Sequence, residues 1–141
     1  MNAIPSELKA AIDRYLAENS AGSLVEKTSR MSERYRQGGG SDSALDFGAY
    51  LVARLPATFA AVAFCLAELA GRRPLFSPRT LLDAGSGPGT AAWAATATYP
   101  GISTVIFLDN NLPFLKLAGS LAAGRARIAA DRARFVDGPV L

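Results

Sequence analysis

The stretch from Thr80 to Asp109 constrains the fold more than any other part of the chain. It reads Thr-Leu-Leu-Asp-Ala, Gly85-Ser86-Gly87-Pro88-Gly89, Thr-Ala-Ala-Trp-Ala-Ala-Thr-Ala-Thr, Tyr-Pro-Gly and, two residues later, Thr-Val-Ile-Phe-Leu-Asp. The runs at 80–84 and 104–108 are short, apolar and set off by glycine or proline, which marks buried strands. The small-residue run between them, residues 90–98, reads as a helix stopped by Tyr99-Pro100-Gly101. Strand, helix and strand in this order specify a parallel sheet with right-handed crossovers. The fold class is α/β.

The glycine loop carries the chemistry. A loop of this kind between a strand and a helix lets the backbone turn tightly and lets a ligand approach its N–H groups, and the helix N-terminus behind it favours negative charge. Asp109 closes the second strand, 20 residues past Gly89, where an acid can accept hydrogen bonds from two ribose hydroxyls. The dinucleotide fingerprint wants glycine at the sixth position from Gly85, where Thr90 stands. A nucleoside-triphosphate loop is excluded too, because no Gly-Lys-Ser/Thr follows.

Upstream, residues 4–17 predict an amphipathic helix with Leu8, Ile12 and Tyr15/Leu16 on one face and Pro5 in its first turn. Residues 24–37 predict a second, heavily charged helix. Its basic side is open to two readings, an RNA-contacting face or a solvated surface. Gly38-Gly39-Gly40-Ser41 is a flexible break. Ser43 to Asp46 resembles a capping box, and Phe47, Leu51, Leu55, Phe59, Val62, Leu66 and Leu69 then form an apolar stripe. Pro56 predicts a kink, or two helices meeting at residues 54–56. Gly71 is expected as the C-cap, with Pro74 as the stop. Cys65 lies within the stripe and reads as an inert core thiol rather than a nucleophile. Downstream, residues 112–121 predict a helix with Pro113 in its first turn, residues 124–131 are ambiguous, and residues 134–136 predict a third strand.

Composition removes whole classes of chemistry. The 141 residues contain no histidine, which excludes Ser-His-Asp catalysis, a histidine base and histidine metal ligation. A single cysteine excludes an internal disulfide and a multi-cysteine metal site within one chain. Half the residues are hydrophobic, so disorder over most of the length is excluded. The net charge of +3 permits a nucleic-acid partner without demanding one. The most apolar stretch, residues 57–67, is about half the ~20 residues needed to cross a bilayer, and residues 1–7 lack a signal-peptide pattern. No membrane partner and a cytoplasmic location are expected.

The run Asp83-Ala84-Gly85-Ser86-Gly87-Pro88-Gly89 resembles motif I of class I S-adenosylmethionine-dependent methyltransferases. Taken with the Arg54-Leu55-Pro56-Ala57-Thr58 stretch and the Gly87-Pro88-Gly89-Thr90-Ala91-x-Trp93 run, residues 46–121 are similar to the methyltransferase-like family associated with the small ribosomal subunit. The resemblance implies S-adenosylmethionine as cofactor, held by Asp83, Gly85, Ser86, Gly87, Gly89, Asp109 and Asn110, with Asp83 and the loop at its methionine end and Asp109 at its ribose. It implies the small ribosomal subunit or its rRNA as partner, and two functions: methyl transfer, or ribosome assembly and binding without catalysis. Trp93 is expected as a packing residue. The architecture is then a helical N-terminal region, residues 1–76 with its break near 38–42, followed by part of a Rossmann-like domain, residues 77–141. The chain reads as the N-terminal portion of a longer protein or as a natural truncation, without the acceptor-side strands and a later cysteine-rich segment. It is expected to be inactive by itself because the acceptor-side strands are missing and no base replaces them. No metal ligands and no catalytic base are identified. In the family's strand order the first strand is central, so strand 80–84 is expected to expose a free edge and drive homo-oligomerisation.

Overall fold

A computed structural model of the chain describes residues 3–19, 46–123 and 134–135. The expected charged helix at 24–37, the break at 38–42, Ser43 and the segment 124–131 lie outside the described residues. Among the described residues eight elements follow in order: α1 (Ser6–Asn19), α2 (Phe47–Ala53), α3 (Leu55–Arg72), β1 (Thr80–Ala84), α4 (Thr90–Thr98), β2 (Thr104–Asp109), α5 (Leu112–Ala122) and β3 (Arg134–Phe135). The α/β fold class is observed.

Among the described residues the sheet has three strands in the order β1-β2-β3, and both pairings are parallel. Thr80 pairs with Thr104 and Ala84 with Leu108, so the two principal strands run level and end together. Both crossovers step the same way along the sheet. With right-handed connections, α4 and α5 must then cover one face. That face holds buried Asp83, Val105 and Phe107. The alternate residues face the other way, and Leu82 is 59% exposed. The strand at 80–84, expected to be buried, is therefore buried on one face only, with just Asp83 of its five residues fully so.

The core is one cluster that draws on both ends of the described chain. Leu8, Ala11 and Ile12 of α1 join Leu51, Leu55 and Phe59 of α2 and α3, Trp93 and its alanine neighbours in α4, and Phe114, Leu115, Leu117, Ala118 and Leu121 of α5. The alanines of α4 let α3 lie close against it, and Trp93 is buried in the same cluster, 1% exposed.

Pro56 acts as expected. Two helices meet at Arg54, and Pro56 sits in the first turn of α3, where its missing N–H costs nothing. Other local expectations are corrected. Asp46 is itself the N-cap of α2, its Oδ1 accepting from Ala49 N at 3.1 Å, so the chain does not use it as the third residue of a helix begun at Ser43. Gly71 is not a left-handed cap: α3 runs through it, and Arg73 closes the helix by donating its N–H to Leu69 O at 2.9 Å. Cys65 is exposed, not a core thiol, because α3 buries only the narrow stripe of Leu55, Phe59 and Ala63 against its neighbours. At 18 residues α3 is also long and apolar enough, by length and composition alone, to cross a membrane, since it runs past both ends of the apolar stretch at 57–67.

Candidate functional site

β1 and β2 end level, and the glycine loop lies beyond their carboxyl ends, between β1 and α4. Gly85, Gly87 and Gly89 all have positive φ, at 71°, 51° and 82°. The loop folds back on β2: Gly85 N and Ser86 N both donate to Leu108 O, at 2.7 and 3.2 Å, and Gly89 N donates to Ser86 O at 2.8 Å.

Asp109 locks this arrangement from the second strand. Its Oδ2 accepts from Gly87 N at 2.7 Å and its Oδ1 from Asn111 N at 2.7 Å. Each carboxylate oxygen retains a lone pair for a further donor. Asp83, 8% exposed at the end of β1, accepts from Ala92 N at 3.1 Å. It thereby satisfies one of the amides that the first turn of α4 leaves without an intrahelical partner. Asp83 Oδ1 receives no protein donor among the described residues. Thr90 heads α4, 3% exposed, and its Oγ1 is buried with no hydrogen-bond partner among them.

The structure thus brings Asp83, Gly85, Ser86, Gly87 and Asp109 together at the carboxyl ends of β1 and β2. Asn110 follows directly on β2 and is exposed. Gly89 serves the packing: a Cβ there would stand 2.8 Å from Phe107 Cε1. Gly85 and Gly87 have open space instead, with nothing within 4 Å of an added Cβ. Thr90 is the residue that the sequence patterns do not single out for the site; its one signal is its place where a dinucleotide loop carries its third glycine. These groups fit the donor that motif I implies. The open loop, the spare lone pairs of Asp109, the free Asp83 Oδ1 and the orphaned Thr90 hydroxyl are complementary to a polar, partly cationic nucleoside. Among the described residues no cluster of three or more His, Cys, Asp or Glu side chains stands ready for a metal. A separate pocket of about 280 Å³ lies between Tyr15, Phe47, Pro113, Lys116, Leu117 and Ser120, and none of the glycine-loop residues lines it.

Burial raises the Asp83 pKa from 3.8 to about 6, the Asp109 carboxylate adds to the rise, and the Ala92 hydrogen bond opposes it. The native state therefore keeps a proton that the unfolded chain releases near 3.8. The stabilisation this brings is complete below that value and is lost as pH rises through about 6. The Asp83→Asn variant cannot ionise. Urea unfolding at pH 4.5 and pH 7 should show it gaining roughly 1–2 kcal/mol on the wild type between the two. Parallel behaviour of the two proteins would show that Asp83 does not titrate in this window.

Residues 44–137 match the family described as "Mitochondrial small ribosomal subunit Rsm22", over more than half of the chain. The chain belongs to the Rsm22 family. It is also 38% identical over 76 residues to the human protein named "Ribosome assembly protein METTL17, mitochondrial", a match that covers 53% of this Rsm22-family chain and 17% of that relative. The expected cytoplasmic location is overturned, because both the Rsm22 family and the human relative are described as mitochondrial. That expectation rests on a missing signal-peptide pattern and a short apolar run, and neither tests for an address read by an organelle receptor.

Proposed function

We propose that the surface formed by the glycine loop and Asp109 binds S-adenosylmethionine, and that the chain is the donor-binding portion of a methyltransferase-like protein that works on the small ribosomal subunit or its rRNA. The observation that carries this reading is the convergence of Asp109 on the glycine loop, across 22 residues of sequence, at 2.7 Å from Gly87 N. In it Asp109 and Asn110 meet the ribose, Gly85, Ser86 and Gly87 line the chain of the donor, and Asp83 Oδ1 faces its cationic methionine end. Gly89 acts by setting the loop. The bound donor would supply an electrophilic methyl group. The polar side chains gathered here serve the donor alone, so the proposal gives this chain no methyl transfer of its own.

The test is calorimetry with S-adenosylhomocysteine on the wild type and on Asp109→Ala. Loss of charge-assisted hydrogen bonds worth ~1.5–3 kcal/mol should weaken binding roughly tenfold to hundredfold. Equal affinity would remove Asp109 from the site. A second reading, a ribosome-assembly factor that keeps the fold without catalysis, is supported by the name of the human relative. It is supported too by the work both Asp109 oxygens already do within the protein. A wild type that binds small subunits but not S-adenosylhomocysteine would favour it.

Self-association belongs to the same proposal. Among the described residues β1 is paired on one side only, and Leu82 is exposed beside that edge. Sedimentation at micromolar concentration should then show a dimer or larger species, and a clean monomer would contradict it.

A further inference from the structure

The opposite end of the sheet has no part in the site just described. There the chain runs Arg72-Arg73-Pro74-Leu75-Phe76-Ser77-Pro78-Arg79 from the end of α3 into β1. Between Glu68 and Asp83 it places three arginines and no acid, and residues 84–108 carry no charged side chain at all. The turn between α4 and β2, which packs against this loop, therefore brings nothing to offset the charge. All three arginines are exposed. Arg72 reaches only Glu68, at 3.8 Å in a solvent-exposed pair, and Arg73 and Arg79 have no carboxylate partner among the described residues.

The loop is nonetheless held firmly. Phe76 N donates to Arg73 O at 2.9 Å, while Ser103 N and Thr104 N donate to Arg79 O at 2.9 and 3.3 Å. The Phe76 ring stands edge-on to Tyr99, centroids 5.6 Å apart, and remains half exposed. Leu75 is 96% exposed, and Pro74 and Pro78 fix two further φ angles.

We propose that this loop, together with the α4–β2 turn, is a docking surface for an RNA backbone. The proposal rests on the ribosomal reading above and deepens it. Exposed guanidinium forks match phosphate oxygens two at a time, and a patch of three arginines with Glu68 alone opposing them among the described residues draws a polyanion. The half-exposed Phe76 offers a stacking face to an unpaired base. A protein partner would seat a core depleted of charge, and here arginines flank the two exposed apolar residues on both sides. The loop lies at the start of β1 and the glycine loop at its end, about 16 Å apart over five strand residues. RNA and the adenosyl donor can therefore be held together.

The experiment compares wild type, the triple variant Arg72→Ala/Arg73→Ala/Arg79→Ala and the corresponding triple lysine variant. Fluorescence anisotropy with a 20-nucleotide single-stranded RNA is run from low to high salt, and co-sedimentation with purified small ribosomal subunits alongside it. The alanine variant should bind the RNA at least tenfold more weakly, with a log–log salt slope shallower by about 2, roughly 0.7 for each phosphate no longer neutralised. The lysine variant should keep most of the slope, and all three proteins should give the same circular dichroism and the same S-adenosylhomocysteine affinity. Unchanged RNA affinity and slope in the alanine variant overturn the proposal. If that variant also binds subunits like the wild type, ribosomal association survives and the RNA surface lies elsewhere. If it loses the subunits but still holds the free RNA, the patch takes a ribosomal protein instead. A wild type that binds neither probe overturns this proposal and the ribosomal reading together.

Discussion

Truncating Trp93 to alanine should cost about 3–5 kcal/mol of folding stability, the largest single effect expected among the described side chains. The indole is 1% exposed and lies in α4 among Ala92, Ala94 and Ala95, which are buried but too small to close the space it would leave. The cavity would open in the core cluster that forms the junction between the helical N-terminal part and the sheet. Total stabilities of small domains are about 5–15 kcal/mol, so Trp93→Ala will unfold at much lower urea, or fail to fold. Trp93→Phe, which retains most of the apolar volume, keeps the question answerable: its loss should be clearly smaller. Equal losses in the two variants would mean that the volume of residue 93 is not what stabilises the junction.

Gly89→Ala should cost about 2–4 kcal/mol, from two separable causes. Its φ of +82° is unfavourable for any residue with a Cβ, and the new methyl group would press on the buried Phe107 ring at 2.8 Å. Gly85→Ala and Gly87→Ala share only the first cause, because nothing lies within 4 Å of their added Cβ. Those two should lose about 1–2 kcal/mol each. Combining Gly89→Ala with Phe107→Leu should cost less than the sum of the single changes, since the smaller side chain removes the clash. Strict additivity would place the cost of Gly89→Ala in the backbone alone.

β1, α4, β2 and α5 are legible in the sequence because local signals agree with the tertiary outcome. Apolar runs bounded by glycine and proline allow few alternatives, and Asn111 with Pro113 specifies the start of α5: the Asn111 side chain accepts from Phe114 N at 3.0 Å. The stripe from Phe47 to Leu69 is apolar as its spacing indicates, but periodicity reports which residues share a face and not how much of that face is covered. Leu69 and Cys65 are consequently exposed. The same limit explains β1, where a continuous apolar run cannot say that only one face of the sheet is packed. At the ends of the strands, the placement of Asp109 beside the loop follows from the spacing of strand and acid. Its bond to Gly87 N does not, because an interaction across 22 residues depends on how the loop folds back on Leu108 O. The orphaned Thr90 hydroxyl is hidden for a similar reason: burial at the head of α4 is set by tertiary packing, which no local pattern encodes.

The proposed adenosyl donor sits against the glycine loop and Asp109, beside the bond that already joins them. Amide resonances followed during titration with S-adenosylhomocysteine test this placement most directly, because they report where a ligand binds as well as whether it does. Gly85, Gly87 and Asn111 should shift together and saturate with one affinity, since ribose hydroxyls entering at Asp109 must perturb the bonds its oxygens accept from Gly87 N and Asn111 N. Arg79 and Gly101, at the far end of the strands, should stay where they are. Loop resonances unmoved at millimolar ligand, or shifts confined to the Arg79 end, would contradict the account.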